Sequence, residues 1–156
     1  MAVYKQCITG VSPITETAGY PYYSGGGEHG GIDTVHGDLN AYAPAAGTVV
    51  WAQVWDGSIT GNQSWGNMIL VEFAANQYWL AAHFASQIHK EGDTLKQGQF
   101  IGVQGQSGNV TGTHTHWEYW DGGQSTAYRK DPAAILRIPN GGGSDEVEWD
   151  GSTPPD

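Results

Sequence analysis

The residues best suited to chemistry in this sequence are two histidines one residue apart, His114 and His116. If the segment from His114 to Glu118 is a β-strand, both imidazoles point to one face, because side chains two positions apart share a face. Glu118 is then the next side chain on that face. Two aligned imidazoles suit a metal ion, or a metal ion with a catalytic helper beside it. Two ordinary surface histidines would show the same pattern, so other ligands must decide between these interpretations.

Further candidate ligands, His29 and Asp33, lie earlier in the chain and are separated by a glycine pair. In an extended segment their even spacing puts both side chains on one side, and the glycines let the backbone pass close to a bound group. His83 is expected at the end of a strand. Two histidines and one carboxylate with an open fourth position form the usual ligand set of a catalytic zinc. A further imidazole beside such an ion can take a proton from its water or stabilise an oxyanion.

The elements that must position these residues are predicted to be short β-strands joined by glycine-rich turns. Gly occurs 24 times, and Trp, Tyr and Phe make up 12% of the 156 residues, a composition typical of strands with tight turns. Strands are predicted at 48–54, 67–73, 78–83 and 100–103, and from His114 onward. One short helix is predicted at 131–136, with Asp131 as its N-cap and Pro132 as its first residue. We therefore expect one mostly β domain over residues 1–140 and an acidic, disordered tail over 141–156.

The bulk composition excludes several classes of function. The net charge of -10 argues against nucleic-acid binding and against unaided attraction to anionic polymers or membrane surfaces. Cys7 is the single cysteine, so no internal disulfide is expected. No apolar run approaches the length of a membrane span, and the first residues lack the apolar core of a signal peptide. His36 and His89 are expected to be surface histidines. We expect a monomer.

Taken together, these residues resemble the LytM/lysostaphin-type zinc endopeptidases of peptidase family 23. The resemblance rests on the order His29-x-x-x-Asp33, His83 and His114-x-His116, framed by similar segments at 42–50, 92–102 and 105–112. It implies a small antiparallel β-sheet or β-sandwich domain of the LytM (duplicated hybrid motif) type, with an open groove. It also implies one Zn²⁺ bound by His29, Asp33 and His116, and His83 and His114 as the catalytic histidines.

The resemblance further implies an enzyme that hydrolyses the peptide cross-bridges of bacterial peptidoglycan with a zinc-activated water. Such an enzyme acts extracellularly at the cell wall, and no signal peptide is visible. We therefore expect a phage-encoded endolysin or virion protein, or a domain of a larger secreted protein, tethered because an anionic wall repels a free acidic domain. Ala81, Thr115 and Trp117 depart from the family pattern, and we expect them to alter the groove walls and the substrate preference.

Two other classes stay open at the level of sequence. One is a catalytically inactive LytM-like domain that binds the wall or activates a partner. The other is a carrier, because residues 29–35 also resemble the phosphohistidine segment of IIA-type phosphocarriers. In that family the segment follows the Ala-Pro-x-x-Gly strand, whereas here it precedes that strand. A biotinyl or lipoyl carrier needs an acceptor lysine after residues 49–50, and no lysine lies between Lys5 and Lys90.

Overall fold

Antiparallel β-strands make up most of the regular secondary structure in this computed structural model, which describes residues 2–4, 30–34, 39–136 and 147–149. The strands in chain order are β1 (Ala2–Tyr4), β2 (Ile32–Thr34), β3 (Asn40–Tyr42), β4 (Gly47–Gln53), β5 (Asn67–Ala74), β6 (Gln77–Phe84), β7 (Thr94–Leu95), β8 (Phe100–Val103), β9 (Thr115–Asp121), β10 (Arg129–Lys130) and β11 (Val147–Trp149). Helical structure within the described ranges comprises α1 (Ala133–Leu136) and two 3₁₀ turns, Gly61–Trp65 and Thr126–Tyr128. The expectation of a mostly antiparallel β fold with a short late helix is confirmed.

One seven-stranded sheet carries the site. Its strands follow the order β10-β9-β6-β5-β4-β7, and β2 also pairs with β9, on the segment from Thr115 to Trp117. The strands β3 and β8 form a separate two-stranded ladder, as do β1 and β11. Because β2 and β9 are neighbours, the ladder brings together segments that are far apart in sequence.

The central hairpin of β5 and β6 shows how the local sequence produces this sheet. Both strands are rich in β-branched, aromatic and other apolar residues, which favour a pleated and buried surface. Asn76 in the connecting turn has a left-handed backbone with φ of 55°, a conformation that asparagine tolerates better than most residues. The strands predicted at 67–73 and 78–83 are therefore present, joined by a tight turn at Asn76.

Each face of the sheet buries its own apolar cluster. The first cluster, here called the main core, contains alternate residues of the central strands together with residues of β3, β8 and α1: Ile32, Ala41, Ala43, Ala45, Val49, Ile69, Val71, Trp79, Ala81, Phe84, Leu95, Ile101, Trp117, Ile135 and Leu136. The second cluster, here called the site-side core, contains the residues of opposite parity: Trp65, Met68, Leu70, Tyr78, Leu80, Ala82 and Trp120. In β9, Trp117 belongs to the main core, whereas Trp120 shares its face with His116 and Glu118. The candidate chemistry thus lies beside the smaller cluster.

The C-terminal segment differs from the expectation of disorder over 141–156. Val147–Trp149 forms β11, which pairs with β1 in the register Ala2↔Trp149 to Tyr4↔Val147. Two of these three residues are valine and tryptophan, which favour strands. The expectation of disorder rested on the acidic composition of the whole tail and did not take these two residues into account. The other tail residues lie outside the described ranges, and the domain boundary after residue 140 stays a prediction. No helix in the described part of the chain is long and apolar enough to span a membrane.

Candidate active site

The site begins at the ladder between β2 and β9, where Asp33 lies directly opposite His116. Paired residues of an antiparallel ladder share a face, so the two side chains meet. His116 Nδ1 lies 2.8 Å from Asp33 Oδ1, and both residues are more than nine-tenths buried. The other ring nitrogen of His116, Nε2, lies 2.7 Å from Glu118 Oε2. The sequence-based expectation that His116 and Glu118 share a face is therefore correct.

His83 reaches this face through an irregularity in β6. Between the pairs Asn67↔Phe84 and Ile69↔Ala81, the two residues Ala82 and His83 oppose one residue of β5, which is a β-bulge. His83 has φ of 70°, a left-handed conformation that costs a non-glycine residue about 1–3 kcal/mol and occurs mainly where function requires it. Regular alternation would point its side chain away from the face of Ala82. The bulge instead places its ring centroid 5.9 Å from that of His116.

The two remaining imidazoles, His83 and His114, are held by backbone carbonyls. His83 Nδ1 lies 2.7 Å from the carbonyl oxygen of Ser107, and His114 Nδ1 lies 3.0 Å from that of Gly112. A carbonyl only accepts, so each Nδ1 carries the hydrogen and each Nε2 has the lone pair in the neutral ring. The ring centroids are 4.9 Å apart, and His114 Nε2 lies 3.7 Å from Asp33 Oδ1. Both rings are therefore fixed in one orientation and one tautomer.

The environment shifts the pKa values of His83 and His116 in opposite directions. Burial, together with the charges of His116 and His114, lowers the pKa of His83 to about 3, so His83 is neutral near neutral pH. Burial alone would also lower the pKa of His116, but hydrogen bonds to Asp33 and Glu118 and their negative charges raise it to about 10. His83 thus has a free Nε2 lone pair near neutral pH, whereas His116 is held between two carboxylates.

A cleft of about 520 Å³ opens above these groups. It is lined by Asp33, Ser64, Trp65, His83, Asn109, Val110, Thr111, Gly112, Thr113, His114 and His116. The wall at 109–113 is tied to the 3₁₀ turn opposite by a backbone hydrogen bond from Asn109 N–H to the carbonyl oxygen of Ser64, at 2.9 Å. The 109–113 loop forms one side of the cleft, Ser64 and Trp65 of the 3₁₀ turn form the other, and four titratable side chains lie at its base.

Four of the five predicted site residues, Asp33, His83, His114 and His116, come together in this cleft, and His29 lies outside the described residues, as does His36. Within the described ranges, no three His, Cys, Asp or Glu side chains form a complete group for a metal ion. Asp33 and His116 nevertheless offer an oxygen and a nitrogen donor 2.8 Å apart, both beside the cleft. This donor pair fits a zinc ion that receives a further ligand from elsewhere.

The prediction that His89 is a surface histidine is wrong. Its side chain is 7% exposed, its Nε2 lies 2.9 Å from the carbonyl oxygen of Ile101, and its Nδ1 lies 3.8 Å from Asp93 Oδ2. His89 therefore joins the turn before β7 to β8. It lines no part of the cleft.

The prediction that Ala81, Thr115 and Trp117 alter the groove walls is also wrong. All three are fully buried, and Ala81 and Trp117 belong to the main core on the opposite side of the sheet. Ala81 and Trp117 are cross-strand partners, so the small residue faces the large one. Trp117 Nε1–H donates to Thr34 Oγ1 at 2.8 Å. These departures change how the core is packed.

Several residues that hold the site were not assigned a role from the sequence. Glu118 contacts His116 directly, and Arg129 pairs with Glu118 through Nε at 2.6 Å and Nη2 at 3.0 Å. The even spacing from His114 to Glu118 was a usable signal for Glu118. Arg129 carried none, because its contact depends on the pairing of β10 with β9.

Comparison with known proteins gives consistent matches. The sequence profile described as Peptidase family M23 matches residues 27–128. The peptidoglycan DD-endopeptidase ShyC of Vibrio cholerae is 35% identical over 81 residues, 50% of this chain and 18% of ShyC, so the chain spans under a fifth of that relative. The catalytic domain of the antimicrobial peptidase lysostaphin from Staphylococcus simulans superposes with a TM-score of 0.64 at 26% identity, covering 81% of this chain and 92% of that domain. The catalytic domain of the prophage-encoded M23 protein EnpA from Enterococcus faecalis gives 0.58 at 29% identity, covering 78% and 88%.

Proposed function

This chain belongs to peptidase family M23, and on that premise we propose that it is a zinc-dependent endopeptidase that hydrolyses peptide cross-bridges of bacterial peptidoglycan. The observation that carries the proposal is the base of the cleft. Asp33 and His116 bring donor atoms together at 2.8 Å, beside two further imidazoles that backbone carbonyls hold in place. A domain that only binds the wall does not need two such imidazoles.

We assign one zinc ion to His29, Asp33 and His116. The assignment of His29 rests on its place in the sequence pattern, and that of Asp33 and His116 also on their contact in the cleft. When bound, zinc would lower the pKa of a water molecule and polarise the scissile carbonyl. Two nitrogen donors and one carboxylate leave a fourth tetrahedral position for that water.

The catalytic roles are assigned to His83 and His114. Each ring keeps its Nδ1 hydrogen on a backbone carbonyl and can accept a proton at Nε2, so it can act as the general base for the attacking water. Once protonated, the same nitrogen can donate to the oxyanion or to the leaving amine. The lowered pKa of His83 keeps this ring neutral, with its Nε2 lone pair available, throughout the mildly acidic and neutral range.

The proposed place of action is the bacterial cell wall. With a net charge of -10, a free domain is repelled by an anionic wall, so we infer that this domain, over residues 1–140, works as a monomeric unit tethered to a larger protein or a virion. Phage delivery and export within a larger secreted protein both satisfy this requirement. Membership in family M23 leaves a IIA-type phosphocarrier without support.

The experiment combines metal analysis with digestion of purified peptidoglycan from species that have different cross-bridges. Mass spectrometry of the released muropeptides identifies the bond that is cut. Replacing Asp33 or His116 by Ala should remove zinc and turnover together. Replacing His83 or His114 by Ala should keep zinc and reduce turnover by roughly a hundredfold or more.

A matched control is His89→Gln, which removes an imidazole away from the cleft and should change neither zinc content nor turnover. Parent protein that binds no zinc would reject the metal assignment. Zinc binding without cleavage of any wall would instead support an inactive wall-binding domain. Parental turnover in both His83→Ala and His114→Ala would show that these rings are not catalytic.

A further inference from the structure

The carboxylate of Glu118 is the most heavily bonded polar group beneath the site. It is fully buried and lies near donors from four side chains: His116 Nε2 at 2.7 Å, Arg129 Nε at 2.6 Å and Nη2 at 3.0 Å, Trp120 Nε1 at 2.8 Å, and Trp65 Nε1 at 3.2 Å. A carboxylate has about four lone-pair positions, so these donors saturate it.

Stability alone does not account for an ion pair at this place. The surrounding site-side core is apolar, and replacing a buried ion pair by packed apolar side chains is often neutral or stabilising. Glu118 also occupies a β9 position whose neighbour on the same face, Trp120, is large and apolar. A charged group retained here therefore points to a role beyond packing.

That role follows from the contact with His116. An ionised carboxylate only accepts hydrogen bonds, so His116 Nε2 must carry the hydrogen that it donates to Glu118. The opposite nitrogen, Nδ1, lies 2.8 Å from the Asp33 carboxylate, which holds a hydrogen there in the metal-free ring; that hydrogen leaves when Nδ1 binds a metal ion. Histidines that bind metals commonly donate their other N–H to a carboxylate, which fixes the tautomer and the ring orientation.

We propose that Glu118 and Arg129 are a positioning pair that holds His116 with Nδ1 towards the metal, a role that rests on the proposed zinc site. Arg129 binds both oxygens of Glu118 in a forked arrangement, which fixes the carboxylate plane. The tryptophan N–H groups hold it from the other directions. These contacts fix the ring of His116 at Nε2, on the side opposite Asp33.

Arg129 also reaches the segment that carries the other proposed ligands. A Cβ atom on Gly30 would overlap the Arg129 guanidinium, and one on Gly31 would overlap the backbone oxygen of Trp117. Glycine at these two positions lets the backbone between His29 and Asp33 lie against Arg129 and β9. The same guanidinium thus lies against both ligand-bearing segments.

The principal test is Glu118→Gln, which keeps the shape of the side chain and removes its charge. An amide can turn either its oxygen or its nitrogen towards His116, so the fixed tautomer is lost. We expect zinc to bind roughly tenfold to a hundredfold more weakly in a competition titration with a chromogenic chelator. In the zinc-loaded parent, the ring Nε2–H should give a slowly exchanging proton signal in histidine-labelled NMR spectra, and this signal should be lost in the variant.

The second pair of variants changes Arg129, which is partly exposed and can be replaced with less risk to folding. Arg129→Lys keeps the charge without the fork, and Arg129→Gln removes both. Zinc affinity should decrease in the order parent, Arg129→Lys, Arg129→Gln. If Glu118→Gln does not fold, this order alone decides the proposal.

Two controls separate positioning from loss of stability or charge. Glu91→Gln removes the same charge at an exposed site and should leave zinc affinity unchanged. Val71→Ala weakens the main core and should lower the melting temperature without changing zinc affinity. A parent that binds no zinc refutes the proposed function. If the parent binds zinc, and the Glu118→Gln and Arg129→Gln variants bind zinc within twofold of the parent, the positioning pair alone is refuted. The same conclusion holds if these variants lose no more zinc affinity than Val71→Ala does.

Discussion

The buried, neutral state of His83 predicts a specific acid sensitivity in the metal-free protein. Its folded pKa of about 3 lies below the ordinary value of 6.5, so the unfolded chain binds a proton here before the folded chain does. The associated stability is therefore present above pH 6.5 and is lost as the pH falls towards 3. Between about pH 7 and pH 4.5, two units below the ordinary pKa, the loss amounts to about 2.7 kcal/mol.

The assay compares the parent with His83→Gln, which does not titrate. Urea unfolding of both metal-free proteins is followed by the fluorescence of the seven tryptophans, in the presence of a chelator. His116, whose folded pKa is raised, contributes stability below its ordinary pKa and loses it as the pH rises, but this slope is common to both proteins and cancels. The parent should lose about 2–3 kcal/mol more than the variant over this range. Parallel decreases, within about 0.5 kcal/mol of each other, would show that His83 is not held neutral by the fold.

Three further predictions concern the metal, the close approach of β2 to β9, and the core. Chelation should lower the melting temperature and zinc should restore it, since an ion at a hundred times its Kd adds about 2.7 kcal/mol to a folded state that alone binds it; an unchanged melting temperature would contradict zinc binding. Gly31→Ala should lower the free energy of unfolding in urea by about 3 kcal/mol or more, because its Cβ meets the backbone of Trp117. Gly112→Ala, whose Cβ faces open space, should lower it by under about 0.5 kcal/mol. Equal decreases would refute the close contact. Trp117→Phe and Ala81→Val should each destabilise the chain by about 1–3 kcal/mol. The double variant should be destabilised by at least about 0.5 kcal/mol less than the sum of the two single effects. Strict additivity would show that these two side chains do not share one volume.

The sheet was largely predictable because its signals are local. Strands at 48–54, 67–73 and 78–83 alternate or carry continuous apolar runs, and the structure has them as Gly47–Gln53, Asn67–Ala74 and Gln77–Phe84. Asp131 and Pro132 predicted the short helix at the end of the domain. Asn76 stands in the turn of the central hairpin, where its type suits the left-handed backbone. Each of these features depends on neighbours within a few residues.

The predictions that failed depend on a single irregularity and on distant contacts. Ala81 lies two residues before His83 and would share its face in a regular strand, but the bulge turns His83 to the site-side face while Ala81 stays in the main core. A glycine in the sequence signals that a left-handed backbone is possible, whereas a histidine gives no such local signal. Trp117, by contrast, directly follows His116, so strand alternation alone predicts that its side chain lies on the opposite face of the sheet. The role of Arg129 depends on a strand pairing that no local pattern encodes.

The pairing of Asp33 with His116 joins residues 83 positions apart, and this separation has a consequence for folding and synthesis. Contacts so far apart form only after a large loss of chain entropy, so the cleft is completed late, when β2 and β9 close on each other. A chain leaving the ribosome carries Asp33 early but has no partner for it until β9 emerges. A zinc ion at the proposed site would therefore find Asp33 and His116 together only in chains in which β2 and β9 have paired.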